Sequence, residues 1–263
     1  MVSQRRAARW APYLVSWGSF ALVVLLGWEV GSRLYQQPYL LPAPSAIVQE
    51  LADHQRLVWR YTKITGPEVI YGFLLGSGAA LVAAVLFLFL PTFLEQFLYR
   101  LVVTLNSTPF VALASLVVVW FGLGIESKVA VAALYTFFAV VYHTYKEFVS
   151  VEPLHEDLMT AYAARWWQRL LLLKIPAASP VIFTSLKGGV MAAVNGAIVG
   201  ELFGAFQGLG FMILDARYVG NTVRVFLAAV MCTVIGWLLL GVVNVAERML
   251  VFWHVSMVSQ KRL

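Results

Sequence analysis

Charge is what this sequence has least of. Only 12% of its 263 residues are Asp, Glu, Lys or Arg, against 61% hydrophobic residues, and the mean hydropathy is +0.80. So few charges cannot clothe a soluble globule of this length, which excludes a water-soluble fold and implies several apolar spans. Cysteine occurs once, as Cys232 inside an apolar run, so neither an intramolecular disulfide nor a cysteine-based metal cluster is possible. The four histidines, His54, His143, His155 and His254, stand on separate segments without metal-ligand spacing. There is no Gly-x4-Gly-Lys-Ser/Thr string to cradle ATP phosphates and no Gly-x-Ser-x-Gly elbow to present a nucleophile. The chain reads as an integral membrane protein and not as an enzyme, with no catalytic, cofactor-binding or metal-binding residues.

The charges that are present sit in short loops and at the two ends. The net charge of +6 therefore points to cations retained on the cytoplasmic side, not to nucleic acid. Apolar runs of about 20 residues, the length that crosses the hydrocarbon, predict six spans at 10–30, 67–90, 101–121, 129–149, 180–206 and 225–245. The fold class is all-α: residues 1–263 form a single polytopic transmembrane helix bundle in a cell (plasma or inner) membrane, with both termini cytoplasmic. No cleavage site follows the first run, which is read as a retained span.

Between spans, Pro38 to Leu51 reads as a turn leading into a short helix with Ser45 as its N-cap. Arg33, Arg56, Arg60 and Lys63 fall in the first outer loop, and residues 91–100 form a cytoplasmic loop. Gly122-Leu123-Gly124 makes an outer turn with Glu126 and Lys128 solvated. Asp215, Arg217 and Arg224 fall in the last outer loop.

Small residues recur every fourth position in two spans. Gly72, Gly76, Ala80 and Ala84 mark one face, and Gly188, Ala192, Gly196, Gly200 and Gly204 mark another, with Gly189, Ala193 and Ala197 beside them as an adjacent stripe, so both helices are expected to meet a neighbour closely. Asn106, Trp120, Asn195 and Glu201 are the polar and aromatic candidates for the lining of a translocation path. For Glu201 the cost of an ionisable group at membrane depth is the argument, while a hydrogen bond between helices is the alternative for it and for Asn195.

Residues 152–180 interrupt the apolar pattern. Pro153 suits the first turn of a helix, while Pro176 and Pro180 each remove a donor, so two short helices with a bend are expected. Glu156, Asp157 and Thr160 alternate with Leu154, Leu158, Met159 and Tyr162, and Ala163 and Ala164 precede the bulky run from Arg165 to Arg169. This segment resembles the cytoplasmic coupling motif of binding-protein-dependent ABC importer permeases, Glu-Ala-Ala, three residues, Gly, nine residues, Ile-x-Leu-Pro. Asp157 takes the Glu position, Leu158 and Met159 the alanines, Ala163 the glycine, Leu173 the isoleucine and Ile175-Pro176 the Leu-Pro.

Three further strings resemble the branch of that family that imports nitrate, sulfonates, taurine and vitamin precursors: Leu41-Pro42-Ala43-Pro44-Ser45, Trp120-Phe121-Gly122-Leu123-Gly124, and Gly200-Glu201-Leu202-Phe203-Gly204-Ala205 with Gly208-Leu209-Gly210. The resemblance spans Leu41 to Arg248. It implies a permease working by alternating access with ABC ATPase subunits, a second permease subunit as a homodimer, and an extracytoplasmic solute-binding protein. It further implies that Glu156, Asp157, Ala163, Ala164, Arg165 and Pro176 touch the ATPase.

An ion-coupled secondary transporter or channel is the alternative, though it gives no reason for the spacing of the coupling segment. Aromatic residues reach 14%, and apart from Lys187 near a span end no Lys or Arg lies deep in a span to attract an anion, which tips the substrate toward a planar vitamin-like heterocycle, riboflavin or a thiamine pyrimidine precursor, over nitrate, a sulfonate or taurine.

Overall fold

Every element of the computed structural model is helical among the described residues, which are 2–35, 37, 39–106 and 110–251, with side chains described from residue 19 onward except that of Asn106. In chain order the helices are α1 (Val2–Tyr35), α2 (Pro44–Asp53), α3 (Gln55–Phe87), α4 (Thr92–Asn106), α5 (Phe110–Phe121), α6 (Ile125–Val149), α7 (Pro153–Ala161), α8 (Trp166–Arg169), α9 (Ile175–Gly204), α10 (Leu209–Tyr218) and α11 (Thr222–Leu250). Four helical stretches, Gln55–Phe87, Ile125–Val149, Trp166–Gly204 and Thr222–Leu250, are long and apolar enough to cross a membrane. Helices α4 and α5 together make a fifth if they are one span, although their axes differ by 98°. The first expected span falls within α1, whose side chains before residue 19 lie outside the described residues, as do Pro38, residues 107–109 and the basic C-terminal end.

The chain forms two units, Met1–Trp59 with Met212–Val230, and Arg60–Phe211 with Met231–Leu263. In the first, Glu29 of α1 caps α2: its carboxylate accepts the Ser45 N–H at 3.1 Å and the Ser45 hydroxyl at 2.7 Å. Ser45 is thus not the N-cap expected of it; Ala43 holds that position without a side-chain bond, and Pro44 opens the helix. Arg224 pairs with Glu50 at 2.8 Å, and Trp28 packs on Phe226 with ring centroids 6.0 Å apart.

In the second unit α6 lies between α3 and α9, and the small-residue faces explain how. A Cβ added at Gly72 would come within 2.3 Å of the Ala132 Cβ, and one at Gly196 within 2.7 Å of the Ala132 Cα, so Ala132 meets a bare backbone on both sides. Gly76 lies against Ala133 and Thr136, Gly189 against Val140 and Thr136, and Gly200 against Lys128, which extends the seam along α6. Removing side chains lets helix axes close and gains dispersion contact along their whole length, the packing term that drives helix association in lipid. Gly204 lies against Val118 of α5, whereas Gly188 meets nothing within 4 Å. The packed line on α9 accordingly runs through Gly189, Ala193, Gly196, Gly200 and Gly204, with Ala193 also fully buried.

Several loops expected from the sequence are helical. Arg56, Arg60 and Lys63 belong to α3, which starts well before Pro67, and residues 92–100 belong to α4. Asp215 and Arg217 lie on α10, and Arg224 is in the first turn of α11. Charge broke the apolar runs in the sequence, but charge on one face of a helix does not end it.

The helix stop expected at Pro176 and Pro180 does not occur either. A π-helical turn, Leu170–Lys174, joins α8 to α9, and its wider register carries the chain into Pro176. Pro180 cannot donate to the Pro176 carbonyl one turn back, and the Ser179 hydroxyl does so instead at 2.9 Å.

Candidate functional site

Two regions at opposite ends of α9 carry the polar chemistry. At its root, α7 ends in a Schellman motif: the Ala164 N–H reaches the Met159 carbonyl and the Ala163 N–H the Thr160 carbonyl, both at 2.9 Å. Ala163 thereby sits at φ 49, the left-handed region that glycine enters freely and that costs an L-residue about 1–2 kcal/mol. The glycine of the coupling pattern has a conformational reason at this position, and alanine bears the strain.

The Arg165 N–H donates to the Gln168 Oε1 at 2.8 Å, and Arg169 Nε to the Ala164 carbonyl at 3.1 Å, which fixes the bend between α7 and α8. Glu156 does not face outward alone; it pairs with Lys174 at 2.8 Å, and Lys174 also donates to the Phe148 carbonyl at 3.1 Å. That triangle braces α7 against the end of α6 and the root of α9. Leu154, Leu158 and Tyr162, spaced four apart, form an apolar stripe that is 69%, 52% and 78% exposed, with Asp157 beside it. Pro176 faces an apolar cavity of about 380 Å³ with Leu81, Phe148 and Leu250.

At the other end of α9, Glu201 is fully buried. Thr65 Oγ1 donates to Glu201 Oε1 at 2.6 Å and accepts the Leu209 N–H at 2.9 Å, while Glu201 Oε2 accepts the Gly210 N–H. A carboxylate and a hydroxyl from two other helices thus satisfy two of the orphan donors at the start of α10, where the helix dipole favours negative charge. The two glycines of Gly208-Leu209-Gly210 make the space. A Cβ at Gly208, whose φ is +115, would lie 2.2 Å from Glu201 Oε1, and one at Gly210 would lie 2.8 Å from Glu201 Cβ.

Beside this network Lys128 is buried, correcting the expectation that it is solvated like Glu126. Its Nζ donates to the Leu123 carbonyl at 2.5 Å and to the Gly204 carbonyl, so a cation closes the C-terminal end of α9. Glu68 of α3 is only 3% exposed, and its carboxyl lies against that of Glu201, with which it shares a side-chain hydrogen bond. Both Glu68 and Lys128 line a cleft of about 400 Å³ with Lys63, Pro67, Phe206 and Gln207.

Among the described side chains, the residues expected along a path do not share one environment. Glu201 faces α3 and α10, whereas Asn195, six residues earlier and so about 240° around the helix, is exposed. Trp120 at the end of α5 is 72% exposed, and the Asn106 side chain lies outside the described residues. Sequence reasoning missed Glu68, Thr65 and Lys128. Glu68 was open to the same argument as Glu201, an acid within an apolar run; Lys128 was hidden by its neighbour Glu126, and Thr65 carries no signal.

The model for binding-protein-dependent transport system inner membrane components matches residues 72–252. The chain is 32% identical to the formylaminopyrimidine transport permease protein ThiX of Halalkalibacterium halodurans, over 89% of this chain and 94% of that one. It is also 32% identical to the riboflavin transport system permease protein RibX of Chloroflexus aurantiacus, over 89% and 88%. The putative aliphatic sulfonates transport permease protein SsuC of Bacillus subtilis is 30% identical over 89% and 86%. Among solved structures, an inward-facing conformation of the MetNI methionine ABC transporter shares the fold, with a TM-score of 0.59 at 18% identity over 74% of this chain and 94% of that one.

Proposed function

Because the chain belongs to the family of binding-protein-dependent transport system inner membrane components, we propose that it moves a small planar heterocycle into the cytoplasm by alternating access, driven through α7. As an ABC importer permease of the sulfonate, taurine and vitamin branch, it is a multi-pass inner-membrane protein, not itself an enzyme, and works with ATPase and binding-protein partners. The finer reading has six spans, both termini cytoplasmic, and two copies of this chain per importer.

The observation that carries it is the brace at the root of α9. The exposed stripe Leu154, Leu158 and Tyr162 gives an ATPase groove something apolar to hold, and the Glu156 to Lys174 pair passes the displacement to α9. Helix α9 is packed on α6 along its glycine line, so a push at its root moves the pair as one body. That ThiX and RibX are formylaminopyrimidine and riboflavin transport permeases supports a nitrogen heterocycle as cargo, and SsuC keeps a sulfonate as the competing choice.

The test is uptake into proteoliposomes holding this permease, its ATPase and its binding protein. Uptake should require ATP and fall at least tenfold with Leu158→Asp while the permease remains inserted. Uptake that needs no ATPase would point to an ion-coupled carrier or a channel.

A further inference from the structure

Two carboxyls and one ammonium are buried together at the end of α9 away from the coupling segment. Glu201 is fully buried, and Glu68 and Lys128 are 3% and 2% exposed. They come from three helices, α9, α3 and α6, that meet along the glycine seams. The hydrogens available decide how the two acids lie together. The Thr65 hydroxyl has one hydrogen, which goes to Glu201 Oε1 while its oxygen accepts the Leu209 N–H, and the Gly210 N–H donates to Glu201 Oε2. Both Glu201 oxygens are therefore acceptors, the pattern of an ionised carboxylate. The Glu68 carboxyl shares a hydrogen bond with this one, and two ionised carboxylates, which are acceptors only, cannot make such a bond. The hydrogen has to come from Glu68.

The charges agree. Lys128 acts on both carboxyls, and its Nζ is held in place by the Leu123 and Gly204 carbonyls. With both acids ionised, the cluster would keep an excess negative charge away from water, which burial makes costly. One proton brings it to neutrality. The other groups that face it leave that count unchanged: Cys232 of α11 presents a thiol to Glu201, while Glu126 of α6 and Lys63 of α3 are exposed, where water and salt screen them.

We infer that the permease binds a proton here, held on Glu68 and donated to Glu201, and that this proton is the clasp joining α3 to α9 and to the start of α10. The coupling segment pushes on the opposite end of α9, so the clasp makes α3 travel with the α6 and α9 pair. The proton site stands on the fold alone, and its part in transport rests on the importer reading. An unfolded glutamate is ionised at neutral pH, so the folded form holds the extra proton and loses stability as the pH rises.

The infrared spectrum of the purified permease in nanodiscs at neutral pH reads the proton directly. The spectrum of the unmodified protein minus that of Glu68→Gln should contain the C=O band of a protonated carboxyl; an ionised Glu68 would leave carboxylate bands instead. Glu68→Gln keeps a donor for Glu201 in its amide. It should therefore retain the melting temperature and uptake, and should lose the extra fall in melting temperature that the unmodified protein shows between neutral and alkaline pH. Glu68→Met keeps the bulk but brings no donor, and should melt lower and take up substrate roughly tenfold more slowly, the loss of one hydrogen bond to a charged group. A missing acid band, equal pH slopes in the unmodified protein and Glu68→Gln, or Glu68→Gln as damaged as Glu68→Met each overturns the proton site.

ATP-dependent uptake is measured in parallel with formylaminopyrimidine, riboflavin, taurine and an alkanesulfonate, using the permease with its ATPase and binding protein. Full uptake in Glu68→Met overturns the clasp's part in transport. No ATP-dependent uptake of any of the four by the unmodified permease removes the importer reading and leaves the infrared result standing.

Discussion

At the scale of single residues, two of the motifs that resemble a family have local physical causes. Ala163 occupies a left-handed C′ position where its Cβ is strained, so Ala163→Gly should raise stability by about 0.5–1 kcal/mol, the strain relieved less the entropy glycine adds to the unfolded chain. Hydrogen exchange at the amides of 163 and 164 would slow accordingly, and unchanged or faster exchange would contradict the strain argument. Gly210 is the opposite case, because an added methyl would press on Glu201. Gly210→Ala should destabilise by about 1–3 kcal/mol, read from the melting temperature of the purified permease. Such causes were only half legible in the sequence: the spacing of Glu201 to Gly208 and Gly210 was visible, but contact with Thr65, 136 positions away, has no local signature.

At the scale of elements, the sequence revealed which helices pack closely but not which side of each does so. Two adjacent small-residue stripes were legible, one through Gly188 and Ala192 and one through Gly189 and Ala193; at the root of that face the contacts follow the second, since at 100° per residue the stripes are neighbours and only the packed helix selects between them. The test is a pair of substitutions. Gly196→Leu drives a side chain into the Ala132 backbone and should cost the upper end of about 1–3 kcal/mol with loss of uptake, whereas Gly188→Leu, facing open space, should be tolerated. Equal damage from both would argue against the α6 to α9 seam.

Prolines were misleading for a related reason. They mark where a donor is missing, but the π-turn before Pro176 and the Ser179 hydroxyl on its carbonyl repair the ladder through side-chain chemistry that composition does not express. Ser179→Ala should therefore cost about 1 kcal/mol, the worth of that one bond, visible as a lower melting temperature.

At the scale of the whole molecule, α9 links the two polar regions, and coupling by displacement requires that they lie on opposite sides of the membrane. The stretch Trp166–Gly204 is apolar enough to cross once, so residues flanking it face opposite compartments if the importer reading holds. Asp157, before it, and Gln207, after it, are both exposed. The one native cysteine, Cys232, is 4% exposed and gives little background to thiol labelling. A membrane-impermeant maleimide applied to intact cells should thus label Gln207→Cys and spare Asp157→Cys, which should react only after the membrane is opened. Labelling of both from the same side would mean that α9 does not cross, and the brace at Glu156 and Lys174 could not then carry motion to the Glu201 end. The reverse pattern would place α7 outside, where no ATPase can reach it, and the alternating-access mechanism would fall with it.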